Sequence, residues 1–291
     1  MGDATMHAHA DAATPASPPT TRIIVFARLP VPGRVKTRLA ASVGPGDACA
    51  LYEACARHTL ASALECGGGG GPHSTSSTTH SHPRVCVCLA HTAGDAAEDV
   101  RAWVGSFLPP ADLARLDITP QVSNPDLGEK MLASLHAALA SPGCTAAIVV
   151  GTDIPDVSPS VLQSAADLLQ QHGAVWGPAD DGGFYLMGLS HASVPATTAI
   201  EAAGLFASVE WSTPGVLQAT LSGAHSAGLD CADVGCLPRL RDIDTLADLR
   251  EWAGQATCED TCSGDDGGFL RRRDALRELA LQVCERHRDQ A

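Results

Sequence analysis

Residues Thr145 to Asp156 read TAAIVVGTDIPD. The run Thr145–Gly151 is uncharged, short and rich in β-branched side chains, so it reads as a buried strand. It ends at a glycine and passes into a proline-containing loop that carries Asp153 and Asp156. Working outward, the same alternation recurs. Upstream lie strand-like runs at Arg22–Ala27 (RIIVFA) and Arg84–Ala90 (RVCVCLA), and a short extended piece at Ile118–Val122. Between them, helical patterns cover Thr37–Cys66, with a break near Gly44-Pro45-Gly46, then Ala96–Leu116 and Glu129–Ala140. Downstream, Ser158 and Pro159 open a helix to Gln171 as cap and first-turn proline. Strands follow at Ala174–Pro178 and Phe184–Leu189, then a helix at Pro214–Ala227. A last strand region precedes LRDIDTLADLREW, where Asp244 or Thr245 caps a short helix. Strands and helices alternating at this spacing give βαβ units and a mostly parallel sheet. Ligands of such sheets bind in the loops at the carboxyl ends of the strands.

The chain has 291 residues and a formal net charge of −14. That balance argues against non-specific nucleic-acid binding, which needs Lys and Arg against phosphate. No run of about 18 apolar residues exists, which excludes a transmembrane helix and a membrane partner of that kind. Residues 1–21 read as a disordered tail without the apolar core of a secretory signal or the arginines of a transit peptide, so a cytoplasmic location is expected. The tract 67–83, GGGGGPHSTSSTTHSHP, is low-complexity and reads as a surface insertion, with His80 and His82 as solvated loop histidines. The compact domain is expected over 22–253. Residues 254–291 then form a polar linker and an amphipathic helix that packs on the domain or on a partner, which leaves a homo-oligomer open. The 11 cysteines are unevenly spaced and read as buried thiols; Cys258 and Cys262 lack the second pair of a zinc set.

Five loops carry chemistry. RLPVPGRVKTR follows the first strand and crowds Arg28, Arg34, Lys36 and Arg38 around Gly33, suiting a nucleotide diphosphate. Only two lysines occur in the chain, Lys36 and Lys130. Asp153, in GTDIPD, is placed to hold a divalent ion bridging a diphosphate, while Asp156 caps or braces the loop. GPADDGGFY sets Asp180 and Asp181 before Gly182 and Gly183, which permit close backbone approach to a substrate. The pentapeptide DDGGF recurs at 265–269 in the polar tail, so its weight comes from following a strand. Asp244 is either a helix N-cap or a second metal ligand, and the local sequence favours the cap. Lys130 opens a helix, where its charge opposes the dipole, so it is an anion contact or a solvated lysine.

In this order, FARLPVPGRVKTRLA, NPDLGEKM, GTDIPDVSP, GPADDGGFYLMGL, EWSTPGVLQATL and LRDIDTLADL resemble a bacterial-type family of glycosyltransferase-A-like proteins. Some of its members are named as arsenosugar-biosynthesis or radical-SAM-associated glycosyltransferases. The resemblance spans about Arg22 to Trp252. It implies a three-layer, Rossmann-like nucleotide-diphospho-sugar transferase (GT-A) fold. It further implies that Arg28, Gly33, Lys36 and Arg38 serve nucleotide phosphates and that Asp153 holds Mg2+ or Mn2+; Lys130, from its place at a helix start, is taken as a further nucleotide contact. Asp181, Gly182 and Gly183 match the substrate loop; Asp180, Gly182 and Gly183 are taken as substrate contacts, and Asp181 and Lys36 as catalytic. Asp244 matches the second metal-ligand position, which reverses the local preference for a cap. Pro214 stands where an acidic or polar residue is expected, leaving the acceptor side open. The activity implied is transfer from a nucleotide-diphospho-sugar donor to a small-molecule acceptor. Two alternatives use the same loops: a guanylyltransferase-like nucleotidyltransferase releasing pyrophosphate, and a non-catalytic nucleotide-binding protein.

Overall fold

The structure is a computed structural model that describes residues 20–68, 83–191, 204–255 and 267–289. Most of the low-complexity insertion, His80, His82, Cys258, Cys262 and the tail before residue 20 lie outside the described residues. Six strands form one sheet: β1 (Thr20–Ala27), β2 (Arg84–His91), β3 (Leu116–Pro120), β4 (Cys144–Val150), β5 (Ala174–Pro178) and β6 (Phe184–Ser190). Their order across the sheet is β3-β2-β1-β4-β6-β5. The pairs β1·β2, β1·β4 and β2·β3 are parallel, and β6 runs antiparallel to both β4 and β5. The reversal follows from chain length, because five residues between β5 and β6 suffice for a hairpin and not for a crossover.

The helices are α1 (Thr37–Gly68), α2 (Ala97–Gly105), α3 (Pro110–Leu113), α4 (Leu127–Leu139), α5 (Pro159–Leu168), α6 (Val216–Ser226), α7 (Leu246–Gly254) and α8 (Gly267–Arg286). Alternation along the strands divides the core. Ile23, Val25, Val87 and Ile148 face α1, α2 and α5 in one cluster. Ile24, Val149, Trp176 and Met187 face α4 and α6 in the other. The result is the three-layer α/β arrangement expected. The C-terminal helix packs on the domain: Leu276, Ala280 and Val283 of α8 join Leu39 and Leu51 of α1 and Trp252 of α7 in a third cluster.

Two local expectations need correction, and one choice between caps is decided. The helical stretch 96–116 is two helices, because Pro109-Pro110 interrupts it and restarts α3. Among the described residues, no regular strand lies between α6 and α7. Residues 231 and 240 make only isolated bridges to Ala174 and Ala179, with a 3-10 turn at Val234–Cys236 between them. The α7 cap is Thr245, whose side chain accepts from Asp248 N–H while the Asp248 side chain accepts from Thr245 N–H. The expected break in α1 falls at Gly44, which takes φ 79 and is followed by Pro45. Among the described residues, no helix is long and apolar enough to cross a membrane.

Candidate active site

Strands β1, β2, β4 and β5 run the same way, so their carboxyl ends deliver four loops to one edge of the sheet. The first loop is anchored from below. Arg28 N–H donates to Tyr52 Oη at 2.9 Å, Tyr52 Oη–H donates to Arg28 O at 3.1 Å, and Leu29 N–H donates to Asp95 Oδ2. Gly33 turns the loop with φ 79, and Lys36 follows in the same left-handed region at φ 47, rare for a residue with a Cβ. This geometry sends the Lys36 side chain under the loop, where it is 6% exposed.

Lys36 Nζ lies 2.8 Å from Asp153 Oδ1 and 2.9 Å from Asp244 Oδ1. Burying an ammonium is costly unless it is paired. Burial alone would lower the affinity of Lys36 for its proton, yet Asp153 and then Asp244 carry it well above the ordinary lysine value. Lys36 is therefore a fixed positive charge. Arg38 Nη1 adds a second contact to Asp244 Oδ2 at 3.2 Å from a mostly exposed position. The two loops that carry the acids are also stitched together, with Ile243 N–H donating to Asp153 O at 3.1 Å. Because Thr245 caps α7, the Asp244 carboxylate is free to face Lys36.

The ADDGG loop closes the other wall. Asp181 Oδ1 accepts from Gly183 N–H at 2.8 Å, which turns the chain. Gly182 sits at φ 88 with its α-carbon against the Pro214 backbone; a Cβ there would lie 2.2 Å from Pro214 O. Leu217 N–H donates to Gly182 O, so α6 is pinned to this loop. Pro214, the departure noted in the sequence, thus contributes its backbone to the loop.

Between these walls lies a cleft of about 450 Å³, lined by Arg28, Lys130, Asp153, Asp181, Gly183 and Asp244 among the expected residues. An adjoining pocket of about 250 Å³ adds Arg34, Lys36 and Arg38 around the same Asp153 and Asp244. Three expected residues lie off the cleft lining. Gly33 shapes the first loop, Gly182 packs on Pro214, and Asp180 pairs with Arg241 at 3.2 Å. A larger groove of about 880 Å³ runs between α1, the α2–α3 connection and α8. It lies away from the strand ends, and its Arg57, Arg115 and Arg272 are already paired with Glu53, Asp112 and Glu65. The ionic cleft is the better candidate.

Residues beyond the expected set also belong to the cleft. Asp242 lines it, and burial, then Asp181 and Asp244, push its carboxyl up to about 6. Tyr52 lies under the first loop and Thr152 bonds to Phe26 O. Trp211 forms an aromatic wall with Phe184 and Phe206 and donates to Asp126 Oδ2 at 3.1 Å. Asp242 was the legible one, since it shares a motif with Asp244; Tyr52 comes from mid-helix with no local signal.

Does this acid set suit a divalent ion? Among the described residues, no group of three or more His, Cys, Asp or Glu is placed to hold one. Asp153 and Asp244 each give one oxygen to Lys36 Nζ, and both carboxylates are still partly exposed to the cleft. Mg2+ in nucleotide sites takes one or two carboxylates and completes its shell with water and phosphate oxygens. The pair fits an ion that arrives with a diphosphate, and not a resident protein cage.

The fold is that of nucleotide-diphospho-sugar transferases. A protein from Desulfovibrio desulfuricans G20, provisionally assigned as a nucleotide-diphospho-sugar transferase, is 28% identical; the match covers 89% of this chain and 97% of that one, with a TM-score of 0.62. Residues 75–213 match the family described as "Uncharacterized protein conserved in bacteria" (DUF2064). Looser likenesses of outline include 4-diphosphocytidyl-2C-methyl-D-erythritol synthase from Anaerococcus prevotii DSM 20548, at 10% identity, 79% and 94% coverage and a TM-score of 0.43. Another is a mannosyltransferase from Pyrobaculum calidifontis solved with GDP-Man and Mn2+, at 12% identity, 95% and 77% coverage and a TM-score of 0.41. No curated protein matches the chain.

Proposed function

We propose that this protein is a metal-dependent glycosyltransferase that moves a sugar from a nucleotide-diphospho-sugar to a small-molecule acceptor. The observation that carries this reading is the Lys36 ammonium held between Asp153 and Asp244 in the pocket that adjoins the strand-end cleft. A cleft edged by fixed cations and by two partly exposed carboxylates suits a diphosphate with its counter-ion. The 28% identical Desulfovibrio protein supports the donor class.

In this scheme Lys36, Arg38 and Arg28 bind the diphosphate oxygens and share the charge that develops as the glycosidic bond breaks. Lys130, across the cleft, adds a further cation for the donor. Asp153 and Asp244 would hold Mg2+ or Mn2+, which would supply electrostatic neutralisation of the leaving diphosphate. Asp181 has one oxygen committed to Gly183 N–H, leaving the other to orient an acceptor hydroxyl and accept its proton. Trp211 and Phe184, with Phe206 behind Trp211, exclude water from the acceptor end and offer an apolar wall to a sugar face.

Product identity tests the reading. Incubation with Mn2+ and a panel of nucleotide-sugars should release nucleoside diphosphate. Pyrophosphate release from a nucleoside triphosphate would replace it with nucleotidyl transfer, and binding without turnover of any donor would replace both.

A further inference from the structure

The loop that carries Asp153 is gripped from outside the cleft. Asp156 lies three residues on, across the rigid Ile154-Pro155 step, and both of its oxygens are taken by the C-terminal part of the chain. Arg273 Nε of α8 donates to Oδ1 at 2.5 Å, and Trp252 Nε1 of α7 donates to Oδ2 at 2.9 Å. The Asp156 and Arg273 side chains are 20% and 17% exposed, so this is a sheltered pair where charge attraction is little screened. Beside it, His58 is buried and its ring lies 4.9 Å from that of Phe269, one turn before Arg273 on α8. Burial, then Arg272 and Arg273, press the His58 ring down to about 3, so it stays neutral and adds no competing charge.

The rest of α8 is tied elsewhere. Arg286 and His287 bond to Asp47, and Arg272 to Glu65. Arg273 is the α8 side chain that reaches the Asp153 loop. We infer that Arg273 is a positioning residue for the cleft, acting through Asp156 to hold the Asp153 carboxylate in register with Lys36 and Asp244. This rests on the diphosphate reading above. It assigns to the C-terminal helix a part in ligand binding besides its packing.

The test uses the full chain and Mn2+ with inorganic pyrophosphate at micromolar concentrations, with free Mn2+ followed by electron paramagnetic resonance. Arg286→Ala is the control, since it loosens α8 at the far end without touching Asp156. Arg273→Ala should weaken Mn2+–pyrophosphate binding at least fivefold, Arg286→Ala should stay within twofold of wild type, and Arg273→Lys should recover part of the loss. Should Arg273→Ala fail to fold by circular dichroism, Trp252→Phe removes the second bond to Asp156 while keeping an aromatic ring in the third core cluster, and should weaken binding about twofold to threefold. Wild-type affinity in whichever of these two variants folds overturns the positioning role and leaves the diphosphate reading intact. No binding by the wild type overturns the diphosphate reading, and the positioning role with it.

Discussion

Lys36 Nζ sits 2.8 Å from Asp153 Oδ1, although the two residues belong to different loops on neighbouring strands of the sheet. The same nitrogen reaches Asp244 from a third segment. Three stretches distant in sequence therefore converge on one charge, and removing a member should affect ligand binding more than folding.

For Asp153→Ala, Lys36 keeps its bond to Asp244, and the lost carboxylate was 44% exposed. The stability loss should be about 1–3 kcal/mol, because the buried Lys36 ammonium keeps one of its two carboxylates. Turnover should fall by about 100-fold or more, the scale seen when a group aimed at developing charge is removed. Donor consumption and urea unfolding on one preparation check both; a large loss of stability with activity retained would contradict the assignment.

Lys36 combines a buried charge with a left-handed backbone, and two substitutions separate them. Lys36→Ala and Lys36→Gly remove the same ammonium, but glycine adopts φ 47 without the Cβ penalty. The glycine variant should be more stable than the alanine variant by about 0.5–1 kcal/mol. Both should bind donor poorly. Equal stabilities would mean that the backbone at 36 is unstrained.

Gly182→Ala places a Cβ 2.2 Å from Pro214 O in a left-handed position. The two effects add to roughly 2–4 kcal/mol of destabilisation. The damage should be centred on the ADDGG loop and the start of α6, with melting temperature lowered and turnover lost. A melting temperature equal to wild type would show that the loop gives way without cost.

Acid should loosen α8 at its far end. The Asp47 carboxyl is held below its ordinary value by hydrogen bonds from Arg286 first and His287, against the cost of its burial. A lowered folded-state value means that the unfolded chain binds more protons as pH falls. The stabilisation is therefore full above the ordinary carboxylate value and lost as pH drops through the folded one. Asp47→Asn should cost about 0.5–1 kcal/mol at pH 7, after discounting for solvent screening, and progressively less as pH falls below the ordinary carboxylate value. Denaturant midpoints across that range read the difference.

Strands buried on both faces, such as β4, were legible because an uncharged β-branched run of seven residues has few other uses. The loops at their ends were legible for the same reason, since polar residues directly after such strands stand out. The reversal of β6 needed only a count of the residues between β5 and β6. The cap of α7 could not be chosen locally, because Asp244 and Thr245 both suit it; Asp248, three residues past Thr245, decides it by completing a reciprocal pair. The missing last strand reflects Gly235 and Pro238, which leave residues 231–240 with isolated bridges only. Long-range pairs such as Lys36 with Asp244, or Arg273 with Asp156, carry no local signature, because each side chain finds its partner only after the layers pack.

The most direct test is donor turnover by wild type and Asp153→Ala with Mn2+ and then with excess chelator. Mn2+-dependent release of nucleoside diphosphate by the wild type, lost in the variant and in chelator, is the predicted result. Undiminished release in chelator, or by Asp153→Ala, would contradict the account.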